Sequence, residues 1–581
     1  MTRYVLTLLL ATGLAGCATV PDSERSPAPV TVGIIGLNDF HGALEPPRAA
    51  VQAPDGQGGT VAVPAGGAAW LASAVDSIRA KYPNHAVVAA GDLISASQLA
   101  SSIHLDEPAI GVMNRIGLDF NAVGNHEFDR GREELLRMQQ GGCEQHTPRE
   151  PCQVEQFAGA KFGFLAASTF TEDGSTLFPA TAIKSFGRGD AKVSVGFIGL
   201  TLKGTPSLVS PQGIKGLIFG DEADAANAAI PRLKEAGADA VVVLLHQGGK
   251  TSGLPDPNGC EALSGDILPI LARLDPQVDL VVSGHSHWSY VCDYSTIDPS
   301  RPFLLTSAGV YGELVTDITL TIDPAANRVI GKQARNVIVQ SDGFTSSRGE
   351  VANTDLYPRF EPRADVADYV ALYTRAAADF SGRLIGRLSG AALRPSGAAS
   401  NTGGTLGNLI ADAQLDSARS AGAEIAFMNP FGIRAPIEPA ADGSVTFGQL
   451  YATQPFNNTL VTQTMTGAEI KALLEQGLDG EGPDQLLAPS VGFFYRYDPA
   501  RPLGDRIFDA TLDGQPLDPA RDYRVATNGF LAWGGDGFSV LLAQRDATIG
   551  ISDIEALEAW VKAAAVRQVP DEVRAVGPSL P

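Results

Sequence analysis

Five short segments place Asp, His and Asn at spacings that suit metal binding: Asp39-Phe40-His41, Gly91-Asp92, Gly124-Asn125-His126-Glu127-Phe128-Asp129, His246, and Gly284-His285-Ser286-His287. Imidazole nitrogen and carboxylate or amide oxygen serve Zn²⁺ or Mn²⁺ equally well, so the donor set points to a divalent ion without choosing it. Alone, a D-x-H or G-D pair says little, because Asp and Gly commonly make turns. Together the segments share a feature: each follows a short apolar run that reads as a buried strand. Five of the eight histidines fall there, whereas His85, His104 and His146 lie in polar connections and are assigned no chemistry. Glycines before Asp92, Asn125 and His285 allow close backbone approach.

The apolar runs are Val30–Leu37, Ala86–Ala90, Phe120–Val123, Val193–Leu200, Ala240–Leu245, Leu280–Val282 and Phe303–Thr306. Helical periods such as Ala69–Ala80 and Gly131–Gln140 separate several of them, so residues 30–340 are predicted to form a layered α/β core. Groups just past strand C-termini gather at one sheet edge in such folds, which would bring the five segments together. Gln52–Gly67, rich in Gly, Pro and Ala, reads as a surface insertion. Residues 341–381 read as a polar linker with a connector helix at Asp365–Phe380, its apolar positions being Val366, Val370, Leu372 and Tyr373. A second α/β domain is expected over residues 382–581. It holds a helix at Leu406–Ala418, strands at Ile425–Met428, Val491–Tyr497 and Tyr523–Thr527, and a capping box at Thr466–Glu469. With 581 residues, one core would not suffice.

A formal charge of −22 argues against a nucleic-acid polymer as partner, since phosphate backbones want a basic surface. A small phosphorylated ligand stays compatible, because bound metal ions reverse the local field. No P-loop and no H-E-x-x-H helix occur, which disfavours NTPase and metalloprotease chemistry. Residues 1–17 read as an export leader: Arg3, an apolar stretch from Tyr4 to Ala15, and a lipobox-like Leu14-Ala15-Gly16-Cys17. Cys17 is the expected lipidation site, followed by a tether over residues 18–29. Ala18 in place of Asp resembles the outer-membrane sorting pattern, so the expected location is the periplasm or cell envelope, with membrane contact through the lipid anchor alone. Cys143, Cys152, Cys260 and Cys292 remain, an even set in an export context. Of three possible pairings, Cys143–Cys152 and Cys260–Cys292 are preferred; the first would close a short polar loop, the second would tie a loop to the segment after a site strand.

In order and separation, the five segments resemble the motifs of calcineurin-like metallophosphoesterases. The resemblance implies a four-layer β-sandwich flanked by helices and two divalent metal ions. Asp39, His41 and His287 would hold one ion, Asn125, His246 and His285 the other, and Asp92 would bridge them. His126 would stabilise the transition state or protonate the leaving group, with Asp129 orienting its ring. The second half carries Asn429-Pro430-Phe431-Gly432-Ile433-Arg434, Gln454-Pro455-Phe456-Asn457-Asn458-Thr459, Asn528-Gly529-Phe530 and Gly534-Gly535-Asp536-Gly537. These resemble the C-terminal domain of 5′-nucleotidases and UDP-sugar hydrolases. That family implies a base held between Phe456 and Phe530, ribose hydroxyls on Asp536, and phosphate on Asn429 and Arg434. Hence the expectation is an exported hydrolase taking nucleotides to nucleoside and phosphate through a metal-bound hydroxide. The sequence departs from the family at Ser400–Thr405, where another phosphate-binding Arg is frequent, and at Pro430-Phe431, where Gly-Gly is usual. A 2′,3′-cyclic nucleotide or a UDP-sugar therefore stays open as substrate. In a different class, the chain would be a non-catalytic surface lipoprotein that binds a ligand.

Overall fold

Apolar side chains of the central strands enter two different cores. Along Val30–Leu37, Val32 and Ile34 point into one, while Ile35 and Leu37 point into the other. Burial on both faces is what a parallel strand between two layers requires. In the computed structural model, residues 27–578 are described except 48–49, 148, 210–212, 347–348, 396–401, 457 and 481–483. The expected leader, Cys17 and the first part of the tether fall outside the described residues, as do Ser400 and Asn401.

Two six-stranded sheets build the first half. One runs Arg328–Ile338, Leu314–Asp323, Val30–Leu37, His85–Ala89, Phe120–Ala122, Gly163–Leu165; the last four strands are parallel. The other runs Ser289–Asp293, Leu304–Ala308, Leu280–Ser283, Ala240–Leu245, Val193–Leu200, Thr181–Phe186, with its middle four strands parallel and both edges antiparallel. Between the sheets lie Ile34, Val88 and Ala122 from one face and Phe197, Val242 and Val282 from the other. Helices Ala68–Arg79, Glu107–Ile116 and Ala364–Ser381 cover the outside of the first sheet, and Glu222–Glu235 and Ile267–Leu271 that of the second. The four-layer α/β expectation holds.

Three expectations need correction. The segment read as a surface insertion is a hairpin, Ala50–Pro54 with Thr60–Pro64, that buries Ala53 and Val63 against Ala308, Leu314 and Ile338. The connector helix Ala364–Ser381 buries Val366, Tyr369, Val370, Tyr373 and Ala377, whereas Leu372 is 38% exposed. Helical spacing explains this, because Leu372 falls off the stripe set by the other five. Nor is this segment merely a link, since its buried face belongs to a core that also takes Leu406, Ile410 and Leu450 from the second half.

The second half contains a five-stranded sheet in the order Ala488–Pro489, Ile425–Met428, Asp522–Asn528, Thr459–Thr466, Thr548–Ser552. Helix Gly404–Ala418 packs on it, and helix Gly467–Gln476 starts at the expected capping box, Thr466 with Glu469. Cys143 is bonded to Cys152 and Cys260 to Cys292, the preferred pairing. Among the described residues, no helix is long and apolar enough to cross a membrane.

Candidate metal centre

Strand ends deliver the polar groups. Leu37 leads to Asp39 and His41, Ala89 to Asp92, Ala122 to Asn125 and His126, Leu245 to His246, and Ser283 to His285 and His287. Five of these have left-handed backbones: Asp39 (φ 47°), His41 (47°), Asp92 (53°), His285 (65°) and His287 (59°). Such values are uncommon outside glycine and cost on the order of 1–3 kcal/mol each, so their concentration marks a functional site. Gly124 could carry no side chain: a Cβ there would lie 2.2 Å from Asp92 Oδ1.

Hydrogen bonds fix the frame. Glu127 accepts from the backbone N–H of Asp92 (2.9 Å), Leu93 (2.8 Å) and Gly124 (2.7 Å), tying two strand ends to one carboxylate. Asn38 donates to Asp39 Oδ2 (2.8 Å) and to the Gly309 carbonyl (2.6 Å), and accepts from Ala308 N–H (2.7 Å). It thereby locks the first sheet to the second. The N–H of His285 reaches both Asp39 oxygens, and that of His126 reaches Asp92 Oδ1 at 2.9 Å. Sequence reasoning assigns no role to Glu127 or Asn38, because their partners lie on other strands, where no local pattern points.

The rings of His41 and His246 share one orientation. His41 Nδ1 donates to the Ser95 carbonyl (2.9 Å) and His246 Nδ1 to the Ala90 carbonyl (2.7 Å). A carbonyl only accepts, so the Nδ1 atoms carry the protons and the Nε2 atoms face inward. There His41 Nε2 meets His287 Nε2 at 3.2 Å, and His246 Nε2 meets Asn125 Oδ1 at 3.1 Å. Asp92 Oδ2 is buried without a hydrogen bond, 3.1 Å from His246 Nε2 and 3.8 Å from His41 Nε2. Three groups have ligand atoms within 4.8 Å of one another: Asp39, His41 and His287; His41, Asp92 and His126; Asp92, His246 and His285. This convergence of lone pairs and carboxylates, with one carboxylate oxygen left over between two groups, fits divalent cations.

Charge follows burial. Burial lowers the pKa of His41 and of His285 to about 3 and raises that of Asp39 to about 7. Burial also opposes charge on His246, but the Asp92 carboxylate outweighs it and the pKa rises to about 10. Beside the cluster, His126 Nδ1 contacts Asp129 Oδ2 at 2.7 Å, so Asp129 meets the ring rather than capping a helix. Although burial disfavours the imidazolium, Asp129 and Asp92 hold the His126 pKa above its ordinary value. His85 bonds to the Tyr82 carbonyl, buried His104 to the Ala100 carbonyl, and His146 lies near Glu144, all away from the cluster.

The second half reaches the same place. Phe456 stacks on the His126 ring, centroids 5.9 Å apart at 13°, and the Arg434 guanidinium lies 5.8 Å from the Phe456 ring centre. Asn429 donates to Asp536 Oδ2 (2.7 Å) and accepts from Asn528 (2.9 Å). Asp536 is half-buried, and loss of hydration raises its pKa to about 6 against the pull of Asn429 and Arg434. Phe530 sits against Gly535. Asn429, Asp536 and Phe530 thus form one group, and Arg434 and Phe456 stand nearer the His/Asp cluster.

Comparison with known proteins agrees with this architecture. Residues 33–289 match the calcineurin-like phosphoesterase family and residues 384–543 the 5′-nucleotidase C-terminal domain. A protein from the pqq-V 5′ region of Acinetobacter calcoaceticus, described as uncharacterized, is 49% identical over 193 residues, 32% of this chain and 95% of that protein. Endonuclease YhcR of Bacillus subtilis (strain 168) is 28% identical over 93% of this chain, which spans only 40% of that protein's length. The crystal structure of the 5′-nucleotidase precursor from Thermus thermophilus superposes with a TM-score of 0.73 at 25% identity, covering 95% of this chain and 100% of that one. Two family domains in this order, over a four-layer fold with His/Asp groups at its strand ends, settle the assignment. The chain belongs to the 5′-nucleotidase family of calcineurin-like phosphoesterases and is a metal-dependent phosphoester hydrolase.

Proposed function

We propose that this enzyme hydrolyses nucleotides to nucleoside and phosphate at a dinuclear metal centre outside the cytoplasm. The observation that carries this reading is the approach of Arg434 and Phe456, from one half of the chain, to the His/Asp cluster of the other. Asp39, His41 and His287 would hold one divalent ion, Zn²⁺ or Mn²⁺, and Asn125, His246 and His285 the second, with Asp92 shared. Such a pair supplies Lewis-acid stabilisation of phosphoryl oxygens and a lowered pKa for water. His126 donates its proton to the departing oxygen, and Asp129 keeps the ring oriented and charged. Arg434 and Asn429 bind the phosphoryl end, Arg434 by charge-assisted hydrogen bonds. Asp536 accepts from ribose hydroxyls. Phe456 and Phe530 offer faces to the base, a mode of binding that tolerates different bases.

The acidic surface favours a small-molecule nucleotide over a polymer, even though a relative is named an endonuclease. Two disulfides suit an oxidising compartment, in keeping with export through residues 1–17 and an anchor at Cys17, with outer-membrane placement following from Ala18. A second reading, a 2′,3′-cyclic nucleotide or a UDP-sugar, draws on Pro430–Gly432, a 3₁₀ turn directly after Asn429 where the family usually has Gly-Gly.

Product analysis decides between them. A form beginning after Cys17, loaded with Zn²⁺ or Mn²⁺, would be given AMP, a 2′,3′-cyclic nucleotide and UDP-glucose, with nucleoside, nucleotide and phosphate resolved. Nucleoside and phosphate from AMP as the fastest reaction support the first reading; faster ring opening or pyrophosphate cleavage replaces it with the second. Turnover of none of them would point to a different phosphate ester as substrate.

A further inference from the structure

Tyr311 sits above one side of the cluster in an unusual posture. Its backbone is left-handed (φ 58°) between Gly309 (71°) and Gly312 (67°), and its N–H donates to the Asp39 carbonyl at 2.8 Å. An aromatic residue with positive φ is a genuine outlier, held only where the surroundings over-determine it. The result is a ring whose centroid lies 6.0 Å from that of His41 and 6.3 Å from that of His287. It is half-buried, and among the described residues no hydrogen bond engages its phenol oxygen.

Arg394, from the other half of the chain, lies within electrostatic reach of it. One terminal nitrogen donates to the Ile433 carbonyl at 3.1 Å, while its Nε is buried without a partner. Ile433 directly precedes Arg434, so this bond brings the two arginines together, and burial and Arg434 both disfavour the charge on Arg394. Among the described residues, neither arginine has a carboxylate within ion-pair distance. Two neighbouring arginines without a counter-charge, within electrostatic reach of a phenol that has no hydrogen-bond partner, form a place waiting for an anion.

We propose that Tyr311 and Arg394 contact the substrate and make the site selective for the dianion of a phosphate monoester. The Tyr311 hydroxyl donates to a non-bridging phosphoryl oxygen. Arg394, with Arg434, neutralises the second negative charge, which a diester lacks. This rests on the phosphoesterase reading above and deepens it. It also explains how a chain with no arginine in Ser400–Thr405 can still favour a monoester.

The test uses the metal-loaded enzyme and three variants, Tyr311→Phe, Arg394→Ala and Arg394→Lys. For each, kcat/KM would be measured on an aryl phosphate monoester and on its methyl diester. Inhibition by inorganic phosphate, metal content and melting temperature would be recorded alongside. Tyr311→Phe and Arg394→Ala are expected to lose about 10- to 100-fold on the monoester, in keeping with one lost bond to a charged group. On the diester they should lose less than about threefold, with phosphate inhibition weakened in parallel and metal content unchanged. Arg394→Lys should recover part of the loss. Unchanged monoester kinetics, or equal losses on both esters, would overturn the proposal. A wild-type enzyme that turned over neither ester would instead remove the reading on which it rests, and the proposal with it.

Discussion

At the scale of single residues, the site works by pairing each reactive group with one that fixes its state. Asp129 serves His126 through a 2.7 Å contact. Replacing Asp129 with Asn keeps the shape but removes the charge that favours the imidazolium, so kcat should fall by about 10²-fold with KM little changed. Steady-state kinetics on an alkyl phosphate, which depends on leaving-group protonation, would measure it. Asp536 makes a different prediction. Burial lifts its pKa from 3.8 to about 6 in the folded chain, so the folded state holds that proton more tightly than the unfolded state does. The associated stability is fully present below about pH 4 and is lost as pH rises through about 6. Asp536→Asn should therefore raise stability at pH 7–8 by about 2–3 kcal/mol and leave it nearly unchanged at pH 4, while weakening nucleoside binding. Melting curves at the two pH values check the sign. The groups that gather in the cluster are legible in the sequence because each follows a strand as an Asp, His or Asn. Asn38, Glu127, Tyr311 and Arg394 are not legible in this way. Their meaning comes from contacts with Gly309, Gly124, His287 and Ile433, which no local spacing foretells.

At the scale of elements, the parallel strands of both sheets bring their C-terminal ends to one cluster. Apolar runs such as Ala240–Leu245 make these strands readable, since continuous burial leaves a continuous apolar text. The hairpin at Ala50–Pro54 and Thr60–Pro64 is hidden by its Gly- and Pro-rich composition, and Leu372 is misplaced because a helical stripe is narrower than a list of apolar residues. The Cys260–Cys292 bond closes a loop with a sequence separation of 32 and ends in the strand that follows His287. Changing both cysteines to Ser should lower stability by about 2–4 kcal/mol, seen as an earlier denaturant midpoint. Leu244 lies between the sheets with no exposed surface. Leu244→Ala should cost about 2–5 kcal/mol through the cavity it leaves next to the strand that presents His246, and should lower melting temperature before it alters metal affinity.

At the scale of the whole molecule, the halves are joined by more than a covalent link. One apolar core takes Val370 and Tyr373 from the connector helix together with Leu406 and Leu450 from the second half, and Tyr451 meets Ser102 through hydroxyls 2.5 Å apart. Arg434 and Phe456 approach a cluster whose histidines and carboxylates all come from the first half, so on the proposed function binding and chemistry are divided between the halves. That division is visible in outline from two sets of motifs; their meeting place is not, because it depends on how the halves pack. The central claim is that the His/Asp cluster binds two divalent ions and that hydrolysis depends on them. The most direct measurement is metal content per chain together with phosphate release from AMP, for the wild type and for Asp92→Ala, before chelation, after it, and after reloading with Zn²⁺ or Mn²⁺. The account predicts two ions per wild-type chain, turnover lost on chelation and restored on reloading, and both metal and turnover lost in Asp92→Ala. Turnover that survives complete metal removal, or an Asp92→Ala enzyme with full metal content and activity, would contradict it.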